Sequence, residues 1–272
     1  MTDPRLRARY GLKFNPFEPA IPTEDIWSAP GFDLFASRVE NLTRSGGFGM
    51  LTGAVGSGKS KAFQALADRL SAIPDLAIGV MERPQSSPSD FYRELGRVFA
   101  VDLTPANRYG GFRALRSRWE SHLQTHLRHP VLLVDEGQEM PTACLSELRL
   151  LGSVAFDSRY LLTVVLAGDS RLPERFRTRE LQPLGSRIRT RLVLQPLEAA
   201  QLRELLEHLL ERSGNPGLVT DSLKDVLVKH SAGNPRVMCN IGADLLAAAV
   251  EKDLPRLDDE LFLKVFGRAG AA

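Results

Sequence analysis

At 272 residues the chain has room for one large α/β domain and a small appendage, and 43% hydrophobic with 25% charged residues is ordinary for a globular protein folded in water. No apolar run reaches the roughly 18 residues of a membrane span, and a net charge of +2 is too small to hold nucleic acid unless basic residues cluster locally. The basic N-terminus lacks the apolar core and small-residue cleavage site of a secretory signal, so a cytoplasmic location without a membrane partner is expected.

In chain order, residues 1–30 carry Pro4, Pro16, Pro19, Pro22 and Pro30 and read as an irregular arm that docks through Phe14, Phe17 and Trp27. Residues 31–196 then alternate short apolar runs with longer amphipathic stretches, the pattern of a parallel sheet covered by helices. Five strands are expected, at 49–52, 77–81, 131–134, 161–167 and 191–194, each apolar on both sides as buried parallel strands tend to be. Pro88 and Pro141 suit first helical positions, where a missing N–H costs nothing. Residues 197–272 show helical patterning only, at 198–212, 221–230, 235–251 and 258–266, which predicts a small lid. Cys144 and Cys239 fall in predicted helices without metal-ligand spacing and read as buried apolar residues.

Gly53-Ala54-Val55-Gly56-Ser57-Gly58-Lys59-Ser60 matches G-x-x-x-x-G-K-[ST] directly between an apolar strand and a helix carrying Phe63, Leu66 and Leu70. Glycines there let successive N–H groups turn toward phosphates, and the helix N-terminus adds a favourable dipole. Lys59 would reach the terminal phosphates of ATP and Ser60 would coordinate Mg²⁺. The apolar run 131–134 ends in Asp135 and Glu136, suited respectively to holding the Mg²⁺ shell and to polarising the attacking water.

Two stretches concentrate positive charge. Residues 107–118 carry Arg108, Arg113, Arg116 and Arg118 without an acid, and residues 171–191 carry seven arginines against Glu174 and Glu180. Such runs suit a solvated helix face or a subunit interface as well as a nucleic-acid surface.

Taken together, these motifs resemble those of AAA+ ATPases, and more narrowly a group that includes TnsC-type transposition regulators and ExeA-like secretion ATPases. The likeness rests on YGLKFNPF at 10–17, the loop at 53–60, VLLVDEGQEM, VVLAGDSRL, LGSRIRTRLVLQPL and GNPRVMCNIG. It implies an AAA+ P-loop NTPase core, a five-stranded parallel sheet between helices, with a C-terminal helical lid. It further implies that Arg187 serves as an arginine finger for a neighbouring subunit, with Arg191 as rival, and that Arg236 is a sensor of phosphate state in the lid. Asp169 stands where such proteins carry a neutral polar sensor. A carboxylate would repel the γ-phosphate unless protonated or paired, so either Asp169 faces away or Ser170 does the sensing, and hydrolysis is expected to be slow and switch-like.

The resemblance implies a homo-oligomer, a ring of six or seven subunits or a helical filament, on double-stranded DNA. Its partners would be a transposase and a target-selector protein. Arg83, Arg108, Arg113, Arg116 and Arg118 are the expected DNA contacts. An ExeA-like secretion ATPase or a helicase-loader-like ATPase is the alternative, and the end of the chain near residue 266 is expected to favour the DNA-associated class.

Overall fold

The computed structural model describes residues 4–82, 87–102, 108–125, 128–154 and 159–267. Contacts divide it into two compact units, one of residues 28–55 and 59–194, the other of residues 1–27, 56–58 and 195–272.

The first unit is built on five parallel strands, β1 (Gly47–Gly53), β2 (Leu76–Met81), β3 (His129–Val134), β6 (Thr163–Gly168) and β7 (Ile188–Leu194), in the order β2-β3-β6-β1-β7. Strands β4 (Ser153–Val154) and β5 (Arg159–Tyr160) form a separate antiparallel ribbon. Side-chain alternation explains why helices cover both faces of the large sheet. Leu132, Val134, Val164 and Leu166 share a core with α4 (Pro88–Val98), α5 (Arg108–Thr125) and α6 (Thr142–Gly152), whereas Val131, Leu133, Val165 and Ala167 share one with α2 (Phe32–Ser45) and α3 (Lys59–Ser71). Cys144 of α6 is fully enclosed.

Strand positions agree with the sequence pattern and their bounds do not. β7 begins at Ile188 rather than at 191 and β6 at Thr163 rather than at 161. The expectation that every strand is apolar on both sides is corrected for β2 and β7, which lie at the sheet edges and expose Val80, Arg189, Arg191 and Val193. An edge strand needs only one continuous apolar row, so β7 alternates instead. Pro88 opens α4 as expected, with the Ser87 hydroxyl accepting the Asp90 N–H at 3.2 Å. Pro141 stands one position earlier than expected, as the cap of α6, where its carbonyl accepts the Leu145 N–H at 3.1 Å.

The second unit holds α1 (Pro4–Tyr10), α9 (Ala199–Ser213), α10 (Asp221–Ser231), α11 (Pro235–Glu251) and α12 (Asp259–Phe266). Its helices start at strong caps: Thr220 accepts the Leu223 N–H at 3.3 Å, Asn234 the Arg236 N–H at 3.0 Å and Asp258 the Leu261 N–H at 2.9 Å. The expected irregular arm is corrected over Pro4–Tyr10, which is helical. Leu6 and Tyr10, four residues apart, face one way and enter the core of α9, α10 and α11 with Leu12 and Phe17. Tyr10 donates its hydroxyl to the Leu254 carbonyl at 2.8 Å. Phe17 lies so close to Gly242 that a Cβ there would meet its ring at 2.4 Å. Cys239 of α11 is half-buried, and burial pushes its thiol up to about 11, which keeps it protonated and unreactive at neutral pH.

Among the described residues no helix is long and apolar enough to cross a membrane. Between the two short helices α7 (Arg171–Arg175) and α8 (Gln182–Gly185), which precede β7, the chain makes no further regular element.

Leu132 is fully buried in a strand flanked by β2 and β6. Leu132→Ala is therefore expected to cost about 2–5 kcal/mol, read as a lowered urea midpoint with an unchanged denaturant slope.

Candidate functional site

The site is assembled at the carboxyl ends of β1, β3 and β6, where parallel strands of open α/β sheets present their binding loops. After β1 the chain turns through Gly56 and Gly58, whose φ angles of 82° and 91° are open to glycine at little cost, and α3 begins at Lys59. Ala54 and Val55 are exposed, the Val55 side chain markedly so. Lys59 is only 9% exposed, and its ammonium donates to the carbonyls of Gly53 at 3.0 Å and Ala54 at 2.9 Å. The buried Ser57 hydroxyl finds no partner among the described residues, and the first turn of α3 carries no acid. A curled backbone, a desolvated cation, an uncommitted hydroxyl and a helix N-terminus together fit a polyphosphate.

Asp135 continues β3 by one residue, its N–H donating to the Met81 carbonyl at 3.0 Å. Burial pushes its carboxyl above the usual carboxylate range; the Glu136 N–H opposes this, Glu136 and Glu82 add to it, and the Lys59 ammonium opposes it. Ser60 at the start of α3 and Asp135 offer the hard oxygen donors that Mg²⁺ prefers. Bound there, Mg²⁺ would neutralise charge on the phosphates.

Glu136 adopts φ 50° and ψ 37°, so the chain swings sharply out of the strand, with the Glu136 N–H bonded to Asp135 Oδ1 at 2.8 Å. The Gln138 amide donates to the Glu136 carboxylate, and Gln138 Oε1 accepts the Asp169 N–H at 3.1 Å. Sequence reasoning passes over Gln138. Nothing in the pattern marks it, since it stands between Glu136 and Glu139, which are exposed, while it is itself buried, where an amide needs partners.

Asp169 stands directly after β6. Arg171 donates through Nε to both of its carboxylate oxygens, at 3.2 and 2.9 Å, and pairs through Nη2 at 2.8 Å. Those bonds hold the Asp169 carboxyl below the usual range, and the Lys59 charge acts in the same direction. The expected repulsion is thus met by pairing with Arg171 rather than by protonation. Ser170 begins α7 without capping it through its side chain.

The basic stretch 171–191 proves to be partly internal. Arg171 also pairs with Glu139 at 2.6 Å. Arg175 donates to the carbonyls of Gln138 at 2.7 Å and Met140 at 2.6 Å and to the Thr142 hydroxyl at 3.2 Å; burial lowers its pKa, so it is a desolvated structural cation. Arg187 is half-buried and bonds the Pro183 carbonyl, while Arg191 extends from the β7 edge to the Gly185 carbonyl at 3.2 Å.

In the helical unit Arg236 is exposed in the first turn of α11, and its N–H donates to the Gly56 carbonyl at 3.3 Å. A Cβ on Gly56 would meet Asn234 Oδ1 at 2.4 Å, so only glycine permits that approach.

On α5, Leu115 and Trp119 are fully buried, while Arg113 and Arg118 are exposed and Arg116 is half-buried. The Arg113 guanidinium lies over the Tyr109 ring at 5.9 Å and that of Arg116 over Phe112 at 5.1 Å. Arg83 and the side chain of Arg108 lie outside the described residues.

A family model for an AAA domain matches residues 42–176, a span that contains the loop, Asp135, Glu136 and Asp169. General secretion pathway protein A of Aeromonas hydrophila is 30% identical over 213 residues, covering 76% of this chain; the chain spans 38% of that relative's length. Among solved structures, the ORC2 protein of Aeropyrum pernix in ADPNP and ADP complexes superposes with a TM-score of 0.72 at 15% identity, covering 95% of this chain and 72% of that one. Drosophila ORC bound to DNA superposes with a TM-score of 0.72 at 16% identity, covering 98% and 66% respectively. Such low identity establishes the shared fold alone.

The division of labour between Lys59 and Glu136 is testable. Removing a desolvated cation is expected to weaken ATP binding by at least about 100-fold in Lys59→Ala. Glu136→Gln is expected to keep binding within about twofold while turnover falls by about 100-fold or more, as read by nucleotide titration and phosphate release.

Proposed function

Because the chain is an ATPase of the AAA+ fold, we propose that its ATP turnover switches a homo-oligomer assembled on double-stranded DNA, as in the transposition regulators that its motifs resemble. The observation that carries this reading is the outer face of α5. Arg113 and Arg116 lie on the side of α5 away from its packed residues, Arg118 stands further round the helix, and no acid falls between residues 108 and 118, with Glu120 following. Tyr109, 72% exposed, and Phe112 brace two of these guanidinium groups by cation–π contact. A cluster of guanidinium groups, two of them braced, suits phosphates spaced along a duplex and reads no base sequence. The reading also assigns phosphate contacts to Arg83 and Arg108.

In this reading Gly53, Ala54, Val55, Gly56, Ser57, Gly58 and Lys59 hold the ATP phosphates and Ser60 with Asp135 holds Mg²⁺. Glu136 takes a proton from the attacking water. Arg187 reaches the γ-phosphate held by a neighbouring subunit, Arg236 reports phosphate state, and Asp169 with Ser170 forms the sensor segment. Oligomerisation into a ring or filament follows from a finger acting in trans. The transposase and the target-selector protein would then dock on the ATP-bound assembly. A second reading, a secretion-associated ATPase, is supported by the Aeromonas relative.

Fluorescence anisotropy on a duplex with ATP present tests the DNA reading. Replacing Arg113, Arg116 and Arg118 by alanine is expected to weaken binding uniformly across sequences and to reduce the salt slope by about 1 for each DNA phosphate no longer neutralised. Unchanged affinity and slope would move the DNA site elsewhere, to the basic N-terminal arm with Arg5, Arg7 and Arg9, whereas no affinity of the wild-type chain for the duplex would favour the secretion-associated reading.

The trans assignment is tested by mixing. Arg187→Ala and Lys59→Ala subunits, each inactive alone, are expected to regain part of the ATPase rate together, since one interface then joins an intact loop to an intact finger. No recovery in a confirmed mixed assembly would overturn it.

A further inference from the structure

We propose that Gln138 is the positioning residue of the ATPase site, a side-chain bridge that ties the orientation of Glu136 to the end of β6. The inference rests on the reading of Glu136 as the residue that activates water.

Glu136 sits just past the end of its strand with φ in the left-handed region, so the sheet ladder no longer holds it and its carboxylate needs another restraint. Gln138 supplies it. The residue is 7% exposed, its side-chain amide N–H donates to Glu136 Oε2, and its side-chain carbonyl oxygen accepts the Asp169 N–H at 3.1 Å. One amide therefore spans two strand ends, giving a donor to the carboxylate and an acceptor to the backbone. The donor takes one lone pair of Oε2 and leaves Oε1 to accept from a water.

Two further features show that the bridge is built in. Gly168 passes so close that a Cβ there would meet Gln138 Oε1 at 2.5 Å, and a Cβ on Gly137 would meet the Ala167 carbonyl at 3.2 Å. The backbone of Gln138 is itself clamped, since Arg175 donates to its carbonyl at 2.7 Å. A shift of the β6 end would therefore move the Glu136 carboxylate through Gln138.

The test uses the full chain and four variants: Glu136→Gln, Gln138→Met, Gln138→Glu and the double Glu136→Gln/Gln138→Met. Methionine keeps the length and removes both hydrogen bonds; glutamate keeps the acceptor for the Asp169 N–H and sets a second carboxylate against Glu136. Gln138→Met is expected to lower kcat at least about tenfold while the ATP dissociation constant and Tm stay near wild type. Gln138→Glu is expected to lose turnover likewise, and it carries the test should the methionine variant fail to fold. In single-turnover assays the methionine substitution is expected to cost nothing further once Glu136 is glutamine, because a residue acting through Glu136 loses its effect with it.

Wild-type kcat in Gln138→Met, or in Gln138→Glu if that is the variant that folds, beside an inactive Glu136→Gln, overturns the bridge. The same fractional loss in both backgrounds also overturns it, since Gln138 would then act elsewhere. Wild-type turnover in Glu136→Gln would instead remove the reading of Glu136 on which the proposal stands.

Discussion

The ammonium of Lys59, almost buried and held by the carbonyls of Gly53 and Ala54, is a charge shared by carboxylates at the ends of two strands, beside the larger effects of burial on Asp135 and of Arg171 on Asp169. Asp135 is desolvated at a strand end beside Glu136 and Glu82, a setting that alone favours the neutral acid; Lys59 opposes that tendency. The same cation helps keep Asp169 ionised. One buried lysine on the first turn of α3 thus touches the electrostatics of groups from β3 and β6, so the parallel order that brings β3, β6 and β1 side by side sets this electrostatic arrangement as well as the packing.

Around that cation the segment after β3 is tied down to an unusual degree. Gln138 joins Glu136 to Asp169, Arg175 grips the carbonyls of Gln138 and Met140, and Arg171 links Glu139 to Asp169. Together these interactions tie the turn at 136–140 to the segment that follows β6. An exposed ion pair such as Arg171 with Glu139 contributes little by itself. Combined with a desolvated arginine on two carbonyls and a buried amide bridge, the set acts as a network whose parts share one geometry.

Much of this is legible in the chain. Buried parallel strands announce themselves as apolar runs, and 131–134 followed by two acids can be assigned from pattern alone. The turn at Gly56 and Gly58 is equally plain, since those glycines answer a local backbone requirement. Gln138 is not legible, because its partners are a side chain two residues back and a backbone N–H thirty-one residues ahead. Arg171 and Arg175 read as surface charge for the same reason: a count of arginines cannot reveal which of them meet carbonyls. The helix at Pro4–Tyr10 is hidden by the prolines around it, although Leu6 and Tyr10 carry its spacing.

The pairing of Asp169 bears on how such a site controls its rate. A neutral polar side chain at the end of β6 could donate directly to a phosphate, whereas an aspartate bonded by Arg171 has its acceptors already engaged and offers no donor. In the proposed assembly, positive charge at the γ-phosphate then comes from Lys59 and the Mg²⁺ held by Ser60 and Asp135 within the subunit and from Arg187 of the next one. A monomer would hold ATP and turn it over slowly, because charge developing in the transition state lacks the guanidinium of a neighbour. Assembly would restore that cation, and the Gln138 bridge would let the β6 end govern whether Glu136 is aligned when it arrives. Slow basal turnover is on this view a consequence of the pairing of Asp169 with Arg171, and assembly-dependent turnover a consequence of a finger acting in trans.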